Sequence, residues 1–344
     1  MMRALLLDRP GPPSSLRVGE AARPVPAAGE VLVRVEAVGL NPVDYQLASG
    51  GHPQWAYPHI PGLDIAGVVH DAGPEPDPRL PAGTRVAWHQ DLRRPGGLAD
   101  FVTAPAAVLA VVPRAVTMTV AASLPCAGMT AYQAVVRRLR PQPGQHALVQ
   151  GASGGVGGFA VQLLAAAGAT VVATASPPNH AYVLGLGADA VVDYARADLA
   201  AALLAATGEC GYDAVVDTVS PESAAQGLLL LRHTGGLAAV AGRPSLDSVP
   251  PFGIAPSLHE IALGAAYTHG DQGSRADLAL MLMELLRLVA DGTLAPLPIE
   301  TVRLEEAPAA LERLARRHVR GKIVVRLEVP QLTGIQAGGG SELS

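Results

Sequence analysis

Five glycines crowd residues 151–158 (GASGGVGG). Within them, Ala152-x-Gly154-x-x-Gly157 has the spacing of a dinucleotide-binding turn, with alanine for its first glycine. The chemistry asks for small residues here. The backbone must come close to a pyrophosphate, and a helix start offers free N–H groups and a positive dipole end to hold it. Ser153, Gly154, Gly155, Val156 and Gly157 are the expected cofactor-contacting run. The spacing predicts that Val at either Gly154 or Gly157 abolishes dinucleotide binding and leaves a folded protein. The competing reading is a tight turn of small residues that only packs a helix on a sheet.

A second chemical choice lies further on. An NAD-binding unit puts an acid about 20 residues beyond the glycines, where it takes the ribose hydroxyls. The stretch 173–179 (ATASPPN) has none. Ser176 offers a hydroxyl that can donate to a 2′-phosphate, which favours NADPH over NADH. Otherwise Ser176 merely begins a turn before Pro177. No Ser-His-Asp arrangement and no paired carboxylates stand out.

The elements around these residues suit the task. Residues 147–150 are a short apolar run, as a buried parallel strand should be. Val156, Ala160, Leu163, Leu164 and Ala167 follow at helical spacing, Gly168 ends that helix, and 170–174 is a second strand. No Asp, Glu, Lys or Arg lies between Arg140 and Asp189. The glycine turn breaks that run, so it reads as a buried sheet with its helix and not as a membrane span.

Before this unit the chain is β-rich. Strands are expected at 30–38, 64–70 and 84–88, punctuated by many prolines, which predicts a compact barrel-like sheet. From about 121 the pattern alternates. Helices are expected at 127–139, 197–206, 221–232 and 275–290, and strands at 190–193, 212–217, 236–241 and 261–267. A helix at 307–318 and a strand at 321–327 follow, and this tail is expected to return to the first domain. The predicted division is a domain at 1–120 completed by 296–330, a second domain at 121–295, and a flexible tail at 331–344.

Composition narrows the class. The 344 residues are 49% hydrophobic and 16% charged, a globular profile. A net charge of −5 argues against nucleic acid or an anionic membrane as partner. Cys126 and Cys210 are too few for a disulfide framework or a four-thiolate zinc site, and they fit a reducing cytoplasm. The apolar run before Asp8 is too short for a signal peptide.

Several segments together resemble one family. They are 39–44 (GLNPVD), 61–69 (PGLDIAGVV), Gly96-Gly97, 128–132 (GMTAY), 151–157, 187–189 (GAD), 192–194 (VDY) and 321–323 (GKI). In this order the chain resembles the medium-chain dehydrogenase/reductase superfamily, in its zinc-independent quinone oxidoreductase and enoyl reductase branch. The resemblance implies an α/β fold: a GroES-like β-rich catalytic domain plus a doubly wound, parallel-sheet Rossmann domain, with the active site between them. It also implies a homodimer.

Zinc-dependent relatives carry a cysteine in the segment matching 39–44, where this chain has Asn41, and Gly-His-Glu where it has Gly62-Leu63-Asp64. Their four-cysteine zinc lobe is missing. Without thiolates such a metal shell cannot be built. His52, His59, His70 and His89 are scattered, so no metal is expected. In NADP-dependent relatives the stretch at 176 supplies Ser or Thr, then a basic residue, then a later Tyr. This chain offers Ser176, Asn179 in place of the cation, and Tyr194. Thr218 joins the cofactor set.

By resemblance, Asn41 and Thr130 stand near the nicotinamide, where each can bond a carboxamide, a ribose or a substrate carbonyl. Tyr45 faces the same cleft and can polarise an oxygen or deliver a proton, or else is a packing residue on its wall. Asp44 reads as a hydrogen-bond partner in a turn. Trp88, His89 and Tyr57 are expected to line the substrate pocket.

The resulting expectation is a cytoplasmic, zinc-independent, NADPH-dependent reductase of an enone, enoyl or quinone substrate, with Tyr45 and Asn41 as catalytic residues. Residues 176–182 (SPPNHAY) also resemble trans-acting enoyl reductases that serve polyketide synthases. A fold-borrowing cyclase and a dinucleotide-binding protein without turnover are the alternatives.

Overall fold

The structure is a computed structural model that describes residues 1–316 and 319–328. The tail expected to be flexible, 331–344, lies outside the described residues. Two sheets organise the chain.

The first sheet is built on the strand Glu30–Leu40, whose alternation buries Val31, Val33 and Val35. One edge pairs antiparallel with Asp64–Ala72, which pairs with Arg85–His89, which in turn pairs with Ala110–Val111. The other edge is shared. Residues 30–34 pair with Phe101–Pro105, and residues 37–40 pair with Lys322–Arg326. Ile299–Arg303 runs parallel beside Lys322–Arg326. The last described strand is thus laid against the end of Glu30–Leu40, the strand that leads straight into Asn41.

The second sheet has six strands, all parallel. From edge to edge they are Ala190–Val192, Thr170–Thr174, His146–Gln150, Tyr212–Asp217, Leu231–Ala239 and Ser257–Glu260. The chain moves outward one way from His146–Gln150 and the other way from Tyr212–Asp217. The strand order reverses between these two, and their carboxyl ends therefore flank the crevice where such sheets take ligands. This is a Rossmann-type sheet. Helices Gly155–Ala166, Pro221–Leu228 and Gln272–Ala290 accompany it. Among the described residues no helix is long and apolar enough to cross a membrane.

Several expected elements shift. The helix beginning near 127 is Pro125–Tyr132, and it then widens into a π-helix, Gln133–Leu139, closed by Arg140 in the left-handed region (φ 49°). The helix expected to reach 232 stops at Leu228, and the next strand already starts at Leu231. The strand expected at 261–267 lies earlier, at Ser257–Glu260, followed by a helical turn, Ala265–Thr268. That strand lies at the sheet edge with polar, partly exposed residues. Buried Ile261, Leu263 and Tyr267 imitate a strand signal while packing from irregular backbone and the helical turn. The helix begun at 307 is Ala307–Ala315, and His318 lies outside the described residues.

Candidate active site

The glycine turn begins where His146–Gln150 ends. Gly151 adopts φ 81°, and Gly154 caps the helix Gly155–Ala166 with no acid in its first turn. Two threonines brace the turn from adjacent strands. Thr174 Oγ1 accepts from the Gly151 N–H (3.1 Å), and Thr218 Oγ1 donates to the Gln150 carbonyl (2.8 Å).

The two glycines of the motif are not equivalent. A Cβ on Gly154 would meet nothing nearer than the Gly151 carbonyl oxygen at 3.5 Å, so its face is open. A Cβ on Gly157 would lie 2.3 Å from that same oxygen and 2.8 Å from Ala152 Cα. Gly157 allows the helix to pack closely on the strand, and Gly154 leaves open space at the turn. The expectation that Val at either position spares the fold is corrected for Gly157. Ser153, Gly155 and Val156 stay partly exposed around that space.

Past the second strand, Ser176 and Tyr194 each follow by two residues the paired ends Thr174 and Val192, which places both at one end of the sheet. Tyr194 is exposed. Asn179 Nδ2 donates to Ser176 Oγ (3.0 Å), and Arg320 Nε donates to Asn179 Oδ1 (2.9 Å). Arg320 also donates to the Pro178 carbonyl (3.1 Å) and lies over the Tyr182 ring. A cation absent from 173–179 is therefore supplied by the chain 141 residues later.

The third group is buried. Asn41 precedes the helix Pro42–Gly50, and its N–H donates to Asp44 Oδ2 (2.8 Å). Its side-chain amide is fully engaged: Nδ2 donates to Asp64 Oδ2 (2.8 Å), and Oδ1 accepts from Lys322 Nζ (2.5 Å). Asp64 also accepts from the Cys126 N–H (2.9 Å) and has His89 Nδ1 at 2.8 Å. Lys322 Nζ donates to the Leu40 carbonyl (3.2 Å) and stands 3.8 Å from Asp64 Oδ2.

Burial pushes the Asp44 carboxyl up to about 7, against the pull of the Asn41 N–H, and the nearby Asp64 charge adds to the rise. Burial, with Asp64 beside it, also pushes the Cys126 thiol far above its ordinary range, which keeps it protonated. Thr130, buried, lies one helical turn beyond Cys126. Tyr45 packs half-buried against the core on the helix that Asn41 and Asp44 anchor.

This geometry redirects several expected roles. Asn41 is 2% exposed, and both atoms of its amide are committed, to Asp64 and to Lys322. Trp88 is fully buried and its indole donates to Gln90 Oε1 (3.0 Å), so it belongs to the core and not to a pocket wall. His89 is no isolated cleft histidine: it is buried against Asp64, and its carbonyl accepts from the Tyr267 hydroxyl. Tyr57 is partly exposed beside Trp55.

Sequence reasoning passed over Arg320 and Lys322. Arg320 carries no local signal, being one of many exposed arginines. Lys322 does carry one: of the 25 Lys and Arg residues it alone is lysine.

The comparisons agree with this architecture. Residues 27–114 match the alcohol dehydrogenase GroES-like domain, and residues 186–325 match the zinc-binding dehydrogenase domain. The chain is 31% identical to the trans-enoyl reductase tndF of Aspergillus flavipes, over 94% of this chain and 99% of that one. It is 30% identical to the quinone oxidoreductase of Mus musculus, over 73% of this chain and 76% of that one. Among solved structures, an alcohol dehydrogenase superfamily protein from Novosphingobium aromaticivorans superposes with a TM-score of 0.85 at 32% identity, over 95% of this chain and all of that one.

An open glycine turn at a parallel-sheet switch point, joined to a GroES-like sheet, defines a nicotinamide-dependent oxidoreductase of two domains. The chain belongs to the medium-chain dehydrogenase/reductase superfamily, in its quinone oxidoreductase and enoyl reductase branch.

Proposed function

We propose that this protein is an NADPH-dependent, zinc-independent reductase of conjugated acceptors, an enone, an enoyl thioester or a quinone, acting as a cytoplasmic homodimer. The observation that carries the cofactor choice is the Ser176–Asn179–Arg320 chain of hydrogen bonds, which holds a guanidinium beside an acid-free stretch after the second strand. The open face at Gly154 and the free N–H groups of the helix Gly155–Ala166 fit the pyrophosphate. Thr174 and Thr218 hold the turn for it.

A bound reduced nicotinamide supplies a hydride. The residues of the chain orient the acceptor and manage its oxygen and proton. Tyr45, on a helix anchored by the Asn41–Asp44 contact, is the candidate to hydrogen-bond the acceptor oxygen or return a proton. A conjugated acceptor makes a modest demand, because charge spreads into an enolate that hydrogen bonds can hold. Similarity to named quinone oxidoreductases and trans-enoyl reductases supports that acceptor class. The full-length match to tndF favours one further reading, a reductase acting in trans on a carrier-bound enoyl chain.

The test follows NADPH absorbance across enones, enoyl thioesters and quinones, with deuteride traced to the β-carbon of any product. Tyr45→Phe should slow turnover about a hundredfold if the phenol is the acid, and little if water protonates the enolate. Ready oxidation of simple alcohols, with every conjugated acceptor untouched, would overturn the assignment.

A further inference from the structure

Lys322, the only lysine in the chain, is also the only Lys or Arg that is buried among the described residues. Its ammonium is held by Asn41 Oδ1 and the Leu40 carbonyl and stands 3.8 Å from Asp64. Around the same carboxylate, Asp64, His89 and Cys126 present an oxygen, a nitrogen and a sulfur that all lie within 4.8 Å of one another. That is a donor set of the kind zinc takes.

Two facts show that these residues do not fit a divalent ion as they stand. Asp64 is already shared among Asn41, His89 and the Cys126 N–H. A metal seated on the three donors would also lie close to an ammonium, and like charges repel strongly where water is scarce. The choice of side chain matters as well. A lysine is a compact point charge on a flexible stem, whereas a guanidinium brings five donors in a fixed plane. In a chain that otherwise uses arginine, the lysine sits where a small cation is required.

We propose that Lys322 is the resident cation of this cluster: its ammonium counters Asp64, holds the Asn41 carboxamide in place, and keeps a divalent metal off Asp64, His89 and Cys126. Lys322 is thus a positioning residue, whichever nicotinamide or acceptor the protein uses. If the side chain is removed, Asp64 loses its counter-charge and Asn41 Oδ1 is freed. A metal could then enter, with the Cys126 proton released to solvent as the thiolate binds.

The test is a cobalt(II) titration of the purified wild-type protein, Lys322→Met, Lys322→Arg, and Lys322→Met with Cys126→Ser. Wild type and Lys322→Arg should show no thiolate-to-cobalt absorption. Lys322→Met should take up one equivalent with that absorption and gain thermal stability from cobalt or zinc. Adding Cys126→Ser should remove the band. A Lys322→Met protein that folds only when zinc is supplied also supports the proposal. The proposal is overturned if wild type binds one equivalent through the thiolate. It is equally overturned if Lys322→Met stays metal-free, or fails to fold whether or not zinc is present.

Discussion

Gly154 and Gly157 share a motif but not a role, and their variants should part accordingly. Gly154→Val fills open space at a backbone conformation that any residue adopts (φ −80°). It should remove NADPH binding in calorimetry with a nearly unchanged melting temperature. Gly157→Val drives a side chain into the Gly151 carbonyl and should lower the melting temperature itself. A second pair of variants tests the cofactor choice. Arg320→Ala should weaken NADPH about tenfold and leave NADH nearly unchanged, since one charge-assisted contact is lost. Ser176→Asp should reverse the ranking by repelling the 2′-phosphate. Equal losses for both nicotinamides in competition binding would show that Arg320 does not read the phosphate.

The helix Pro42–Gly50 carries a titrating anchor in Asp44. Its carboxyl is raised by burial to about 7, so between its ordinary range and that value the folded protein binds a proton that the unfolded chain does not. Its contribution is therefore full at low pH, falls as pH rises through 7, and is lost above. Asp44→Asn keeps an acceptor for the Asn41 N–H and removes the charge. By pH 8 the variant should be the more stable by up to roughly 4 kcal/mol, and its stability should change less with pH between 4 and 7. Urea melts of both proteins across that range would measure it. A native protein no more pH-sensitive than the variant would show that Asp44 is ionised throughout.

One polar contact between the two sheets is distinctive. The Tyr267 hydroxyl donates to the His89 carbonyl, tying the turn after the last parallel strand to the strand that holds the Asp64 cluster. Tyr267→Phe leaves that buried carbonyl without its partner and should cost about 1–3 kcal/mol, a melting-temperature drop of a few degrees. A melt indistinguishable from wild type would mean the contact contributes nothing to the union of the sheets.

Much of this protein is written in runs of neighbouring residues. The glycine spacing at 152–157, the apolar strands around it and the missing acid before Pro177 each state a local backbone or chemical requirement, and each is legible in a window of a few residues. The family follows from such windows in order. Other features were settled by packing. A helix was expected through 232 because 229–232 continues apolar and helix-compatible, yet parallel pairing with Tyr212–Asp217 claims the chain from Leu231. Trp88 was expected in a pocket from its position in the chain, but burial is a property of what lies on all sides of a residue. The candidate site shows the limit most clearly. Arg320 meets Asn179, and Lys322 meets Asn41 281 residues away, only because Lys322–Arg326 pairs with residues 37–40. Charge and hydrogen bonding act through space. A sequence can name the residues able to take part, but the strand pairing that closes the chain on itself decides which of them are partners.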